Sequence, residues 1–400
     1  MKKPRVAFIV QRCGVEVNGG AEAHCLQIAQ RMARHWDTEV LTTCALDYMT
    51  WENSYPAGLE EIGGTIVRRF PVDQPRDVTH FDELSARLRG RGVAATQSEQ
   101  EEWMQAQGPI SSGLLDYLGA HRGEYDAFIF FGYLYATTYF GLPLVQEKAF
   151  LAPLAHDEWT IYLSMWDSFF ARPRALIFNT SFEKEFLRRR LPSLSLEGPV
   201  VAVGIEPPAD FAPELFRARY GLDDPFLLYV GRIDESKGCR WLIENFVRAR
   251  NAGRIQHKLV LAGTEVMPIP FHDDVIHLGF IDEAQKWSAM AACDWLVMPS
   301  PHESLSMVLL EAWGAGRPAL VTGDAEVLVG QCRRANAGLW YRNSEEFEAI
   351  LRTIDGSTKQ RLGARGRQFV ATHYSWERVV NNYADLFEEQ EAIPVYNRRG

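Results

Sequence analysis

The 400-residue chain has no excess of positive charge, no closely spaced cysteines and no uninterrupted apolar run of membrane length. Its formal net charge of −10 argues against a nucleic-acid partner, because neutralising phosphates requires a basic face. The largest basic runs, Arg188 to Arg190 and Arg87 to Arg91, are short. They read first as solvated helix ends, with peripheral contact to anionic lipid at the inner membrane face as the alternative. The six cysteines, Cys13, Cys25, Cys44, Cys239, Cys293 and Cys332, show no CxxC or CxxH spacing. That points away from a zinc cage or a disulfide framework and toward a reduced, cytoplasmic chain. The apolar run Val6 to Val10 stops at Gln11-Arg12, too short for the core of a leader peptide. Ala127 to Gln146 carries no charge over a length that could cross a bilayer. Gly132, Gly141 and Pro143 interrupt it, so a buried strand and a short helix are expected there instead. No internal repeat or low-complexity tract is present.

What remains is an ordinary globular composition, 46% hydrophobic and 24% charged, on a chain long enough for two domains of about 150 to 200 residues. Strand-like apolar runs alternate with helical spacing. Val6 to Val10, Glu39 to Thr43, Thr65 to Phe70, Phe128 to Phe131, Phe150 to Leu154 and Ala175 to Asn179 form a first series. The polar interval Asp73 to Gln107 reads as an insertion. Prolines and Gly204 within 199–213 mark a linker. A second series follows at Phe226 to Val230, Leu259 to Ala262, Val275 to Leu278, Trp295 to Met298 and Ala319 to Val321. The expected architecture is α/β: two Rossmann-like doubly wound domains, residues 1–204 and 205–376, facing a deep cleft.

Ligands of such sheets bind beyond the carboxyl ends of the strands, and four loops there carry chemistry. In HESLSMVLLEAWGAGRP, residues 302 to 318, Glu303 falls in the loop after a strand and Ser306 is a candidate N-cap for a helix starting at Met307. A helix N-terminus suits a phosphate. Two carboxylates beside it would repel an anion but accept vicinal hydroxyls, so Glu303 and Glu311 fit a sugar on either side of that phosphate. The plain alternative is a dipole partner and a solvated glutamate. The loop GRIDESKG offers Arg232 and Lys237, a planar fork and a point charge, to a diphosphate. Gly19-Gly20, ahead of a helix, permits close backbone approach, although a plain turn explains it as well. His156, in Ala155-His156-Asp157, stands where the first sheet opens.

Together these residues resemble glycosyltransferase family 4, retaining enzymes of the GT-B fold. The likeness is strongest at Glu303 to Pro318, similar to the family's E-x7-E signature followed by EA-x-x-x-G-x-P, here Glu311, Ala312, Gly316 and Pro318. By that resemblance Arg232 and Lys237 hold the donor diphosphate, and Glu311 holds the ribose hydroxyls. Glu303 and His156 would flank the transferred sugar, Gly19-Gly20 would border the phosphates, and Ser304, Leu305, Ser306 and Met307 would meet the donor through backbone amides. The family often has E-G-F-G where this chain has Glu303-Ser304-Leu305-Ser306. The last helix, in 377–400, would return to complete the first domain.

The function so implied is transfer of a hexosyl unit from a nucleoside diphosphate sugar to a hydroxyl of a glycan, lipid-linked or small-molecule acceptor, as in polysaccharide biosynthesis. The donor is a substrate; no further cofactor is expected. Nor is a metal, because no Asp-x-Asp pair stands at a strand end and the two cations compensate the phosphate charge. The alternatives are a non-catalytic nucleotide-sugar-binding protein, or an epimerase or phosphorylase of similar fold.

Overall fold

The computed structural model describes residues 3–17 and 19–391; the end of the expected 377–400 helix, residues 392–400, lies outside them. The chain divides into two units, one reaching Val203 and resuming at Val379, the other spanning Gly204–Arg378.

Among the described residues the first unit is built on seven strands: β1 (Arg5–Arg12), β2 (Asp37–Thr43), β3 (Gly58–Ile62), β4 (Thr65–Phe70), β5 (Ala127–Phe131), β6 (Ala149–Ala152) and β7 (Ala175–Leu176). They lie in the order β3-β4-β2-β1-β5-β6-β7, parallel except for the edge strand β3. The central strands are continuous apolar runs because helices cover both faces. Every residue of β5 is buried, and Phe128 and Phe130 join Trp103, Trp166 and Phe169 in one core. The chargeless stretch after β5 turns at Gly132, whose φ of 83° favours glycine, into the short helix Ala136–Gly141. No helix among the described residues is long and apolar enough to cross a membrane.

The interval read as a polar insertion holds two ordered helices, Val78–Arg91 and Gln97–Gln107. The second starts in a capping box, with Thr96 and Glu99 satisfying each other's backbone amides. Each presents only a few buried side chains, such as Leu84 and Leu88, or Trp103 and Met104, which is why its helical period was faint. The helix Trp376–Glu391 sets Tyr383 edge-on to Trp36, with ring centroids 6.5 Å apart.

His24, on the helix after β1, is buried against Phe131. Burial pushes its imidazole down to about 4. The unfolded chain therefore takes up a proton near pH 6.5 that the folded chain refuses, and the stability present above that pH is lost as pH falls toward 4. Between pH 7 and pH 5 this one group is expected to cost about 2 kcal/mol. Urea unfolding of His24→Gln at both values should show a correspondingly smaller drop than the unmodified chain; equal drops would refute the assignment.

The second unit has six parallel strands: β8 (Phe226–Val230), β9 (Lys258–Ala262), β10 (Val275–His277), β11 (Trp295–Met298), β12 (Ala319–Thr322) and β13 (Gly338–Tyr341). Their order is β10-β9-β8-β11-β12-β13. The chain progresses outward in opposite directions from β8 and β11, so these neighbours flank the switch point where doubly wound sheets bind ligands. Gly231 to Gly238 follows β8, and Pro299 to Ser306 follows β11. In the first unit the reversal falls between β1 and β5, and the Gly19-Gly20 segment follows β1.

Candidate functional site

Three glycines let the strand-end loops of the second unit touch. Gly231 and Gly238 take φ of 147° and 73°, and Gly263 takes 140°. A Cβ on Gly238 would strike the carbonyl of Pro299, and one on Gly263 would strike the carbonyl of Gly231. Backbone therefore packs on backbone from the β9 loop through the β8 loop to the β11 loop.

Within the β8 loop Asp234, buried, organises the cations. Its carboxylate is paired with Arg232 Nε and accepts from Ser236 Oγ at 2.6 Å and from the Lys237 amide at 3.0 Å. Burial would raise its pKa, but these donors outweigh burial and hold it below the usual carboxylate range. Tyr229 fixes the loop from beneath, donating to the Arg232 carbonyl at 2.7 Å. The loop ends on the left-handed Gly238, from which the helix Cys239–Asn251 departs.

Contact with the β11 loop brings Lys237 Nζ to 2.9 Å from Glu303 Oε1. Burial alone would push the lysine down. The nearby carboxylate more than offsets it, leaving the amine more firmly protonated than an ordinary lysine.

The helix Met307–Gly314 begins where the sequence places it. Ser306 is its N-cap, with Oγ accepting from the Leu309 amide at 3.3 Å. It does so at φ 64°, in the region that favours glycine, a conformation costing on the order of 1 kcal/mol for a side-chain-bearing residue. The side chain that bears this cost also supplies the capping hydroxyl. Gln331 Nε2 donates to the Leu305 carbonyl and ties the same loop down.

Glu311 is not the solvated residue of the plain alternative, being only 5% exposed. Lys286 Nζ donates to its Oε1 at 2.8 Å and also meets Glu283 at 2.9 Å. Its Oε2 is buried with no partner. Burial raises the Glu311 pKa while Lys286 pulls it back. A buried carboxylate with one oxygen anchored and the other unmatched is poised to accept a donor such as a hydroxyl.

In the first unit, Gly19 precedes the helix Gly20–Met32 in an extended conformation. A Cβ there would run into the Glu22 carboxylate, whereas one on Gly20 would meet nothing. Glu22 accepts from Arg12 Nε at 2.6 Å and Gln11 Nε2 at 2.9 Å, so a buried ion pair underlies this loop and gives Gly19 a local steric reason.

His156 follows β6 through Leu154, whose φ is 57°, and its Nδ1 lies 3.7 Å from Glu158. The chain ahead of it is held by Glu183, which accepts from the Ala155 amide at 2.7 Å and the Asn179 amide at 2.6 Å. Burial pushes the Glu183 carboxyl up to about 8, with those amides opposing.

Of the residues singled out from the sequence, Lys237 and Glu303 are in direct contact, and Arg232 shares their loop cluster through Asp234. Glu311, Ser304, Leu305, Ser306 and Met307 belong to the segment after β11; Gly19, Gly20 and His156 belong to the first unit. Sequence reasoning missed Asp234, Lys286 and Glu183. Asp234 had a local signal, an aspartate two residues before a serine in a glycine-bounded turn. Thr180 and Glu183 had the T-x-x-E spacing of a helix start. Nothing local points from Lys286 to Glu311.

Residues 224–355 match the family model for group 1 glycosyl transferases. Alpha-D-kanosaminyltransferase of Streptomyces kanamyceticus is 28% identical over 187 residues, covering 43% of this chain and 48% of that one. The chain spans about half the length of the curated relatives it matches. Solved structures extend the likeness across the fold. Sucrose-phosphate synthase of Thermosynechococcus elongatus superposes with a TM-score of 0.73 at 19% identity, over 98% of this chain and 100% of that one. HepE of Anabaena, solved with UDP-glucose, gives 0.67 at 14% identity over 96% and 100%. The fold is GT-B, with two Rossmann-like α/β units.

Proposed function

We propose that this chain is a retaining glycosyltransferase that moves a hexosyl unit from a nucleoside diphosphate sugar to an acceptor hydroxyl. The observation carrying the reading is the Lys237–Glu303 contact at the switch point of the second sheet, beside a helix N-terminus. Cations and free amides suit a pyrophosphate there, and a carboxylate suits the attached sugar. The unmatched Oε2 of Glu311 fits a ribose hydroxyl. The kanosaminyltransferase likeness and the UDP-glucose complex of HepE support the same substrate class.

In this reading the acceptor hydroxyl attacks on the face the nucleotide leaves. The departing phosphate oxygen takes the acceptor proton while Arg232, Lys237 and the amides at the start of helix Met307–Gly314 stabilise its growing charge. Asp234 and Glu303 keep those cations placed, and Glu303 keeps Lys237 protonated. Glu303 would stand beside the sugar, and no metal takes part.

A melting-temperature screen against UDP, GDP, ADP and their sugars tests this. The cognate nucleotide at about a hundredfold over its Kd adds ~2.7 kcal/mol of stability, and turnover of its sugar should survive EDTA. No shift with any nucleotide would overturn the donor site, and a strict magnesium requirement would overturn the metal-free mechanism.

A further inference from the structure

A cavity of about 570 Å³ opens on the first unit between the segment after His156 and the helix Ser181–Arg190. Its size is that of small-molecule sites, roughly 300 to 1,000 Å³, and nothing in the donor chemistry above uses it. Asp157, Tyr162, Ser164, Asp167, Phe186, Arg189 and Arg190 line it.

The walls are held in place by their own bonds. Tyr162 OH donates to Asp157 Oδ1 at 2.8 Å, and the Arg190 guanidinium lies 5.4 Å from the centre of the Tyr162 ring. Arg190 also donates from Nε to the Ile161 carbonyl at 2.9 Å and pairs with Asp167 at 3.3 Å. Ser164 Oγ accepts from Gln100 Nε2 at 2.8 Å. Tyr162 nevertheless stays 48% exposed, so its ring remains open to a ligand that offers it an apolar face.

The chemistry of the lining narrows that ligand. An apolar molecule would strip water from two aspartates without replacing its hydrogen bonds. A phosphate would meet no net positive charge, because Asp157 and Asp167 balance Arg189 and Arg190. A neutral pyranose fits: its hydroxyls donate to Asp157 and Asp167 and accept from Arg190, and its C–H face lies on an aromatic ring.

We propose that this cavity binds a neutral sugar ring and, resting on the transferase reading, serves as a subsite for a glycan acceptor. Asp157 and Tyr162 are its principal contacts. Tyr162 reaches the ligand directly and also orients Asp157.

The test is saturation-transfer NMR on the full chain with the methyl α-glycosides of glucose, galactose, mannose and N-acetylglucosamine, and with glucose 6-phosphate. At least one neutral glycoside should receive saturation at its ring protons. Its binding should weaken about tenfold in Tyr162→Ala, the loss of one good aromatic or hydrogen-bond contact. Asp157→Asn, which preserves shape, should weaken it similarly, so a folding failure of the tyrosine variant does not decide the matter. The inference is overturned if no neutral glycoside is saturated, if only glucose 6-phosphate is, or if both variants bind as the unmodified chain does. The nucleotide-induced rise in melting temperature is read on the same samples. A nucleotide shift without sugar binding removes the subsite and leaves the donor reading; sugar binding without a nucleotide shift does the reverse.

Discussion

Lys237→Ala is expected to lower turnover of the cognate nucleotide sugar by about 10²- to 10³-fold, the usual loss on removing one group that stabilises developing charge. The melting temperature should hardly move. The Lys237 side chain is 36% exposed, and ion pairs with that much access to water contribute only about 0–1 kcal/mol. The split follows from the role: a charge used on the departing phosphate matters more in the transition state than in the folded ground state, so kcat should fall more than KM rises. Lys237→Met, keeping the aliphatic stem, should be as inactive as the alanine variant. Steady-state kinetics with the nucleotide sugar found in the screen, alongside thermal unfolding, checks both halves. Near-normal turnover would remove Lys237 from the leaving group.

Glu311→Ala should show the opposite balance, with a large effect on stability as well as on binding. Its carboxylate holds Lys286, whose side chain is 17% exposed and whose other partner, Glu283, is largely in solvent. Stripping one member from a buried pair leaves an uncompensated charge and costs about 3 kcal/mol. The double variant Glu311→Ala with Lys286→Met removes both charges and should recover much of that stability. It should not recover the nucleotide-induced shift, because the ribose partner is still missing. A full shift in the double variant would mean that Glu311 serves the fold alone.

How far the sequence could be read depended on how each element is buried. β1, β5, β8 and β11 announce themselves as apolar runs because the sheet hides both their faces. β3 does not: Leu59, Glu60 and Glu61 are exposed on an antiparallel edge, so no pattern forces them into a strand. β13 is four residues long and too short to show a period. At the candidate site the ends of each loop were legible, since Gly231, Gly238, Ser306 and Met307 carry punctuation that acts locally. The partners were not. Lys286 meets Glu311 and Glu183 meets Ala155 across 25 and 28 residues of chain, and such pairings are set by how neighbouring elements pack. The exposure of Tyr162 beside the buried Trp166, Phe169 and Phe170 was equally invisible, because all four rings have the same composition signal.

The crowding of Gly231, Gly238 and Gly263 also bears on affinity. Because main chain rests on main chain at those points, the spacing of Arg232, Lys237 and Glu303 is settled during folding rather than during ligand capture. Preorganisation of this kind spares the ordering entropy that a mobile loop would surrender on each encounter. For the proposed donor site it also means that lengthening or loosening these turns would tax every binding event, whereas side chains at the periphery can change without that penalty.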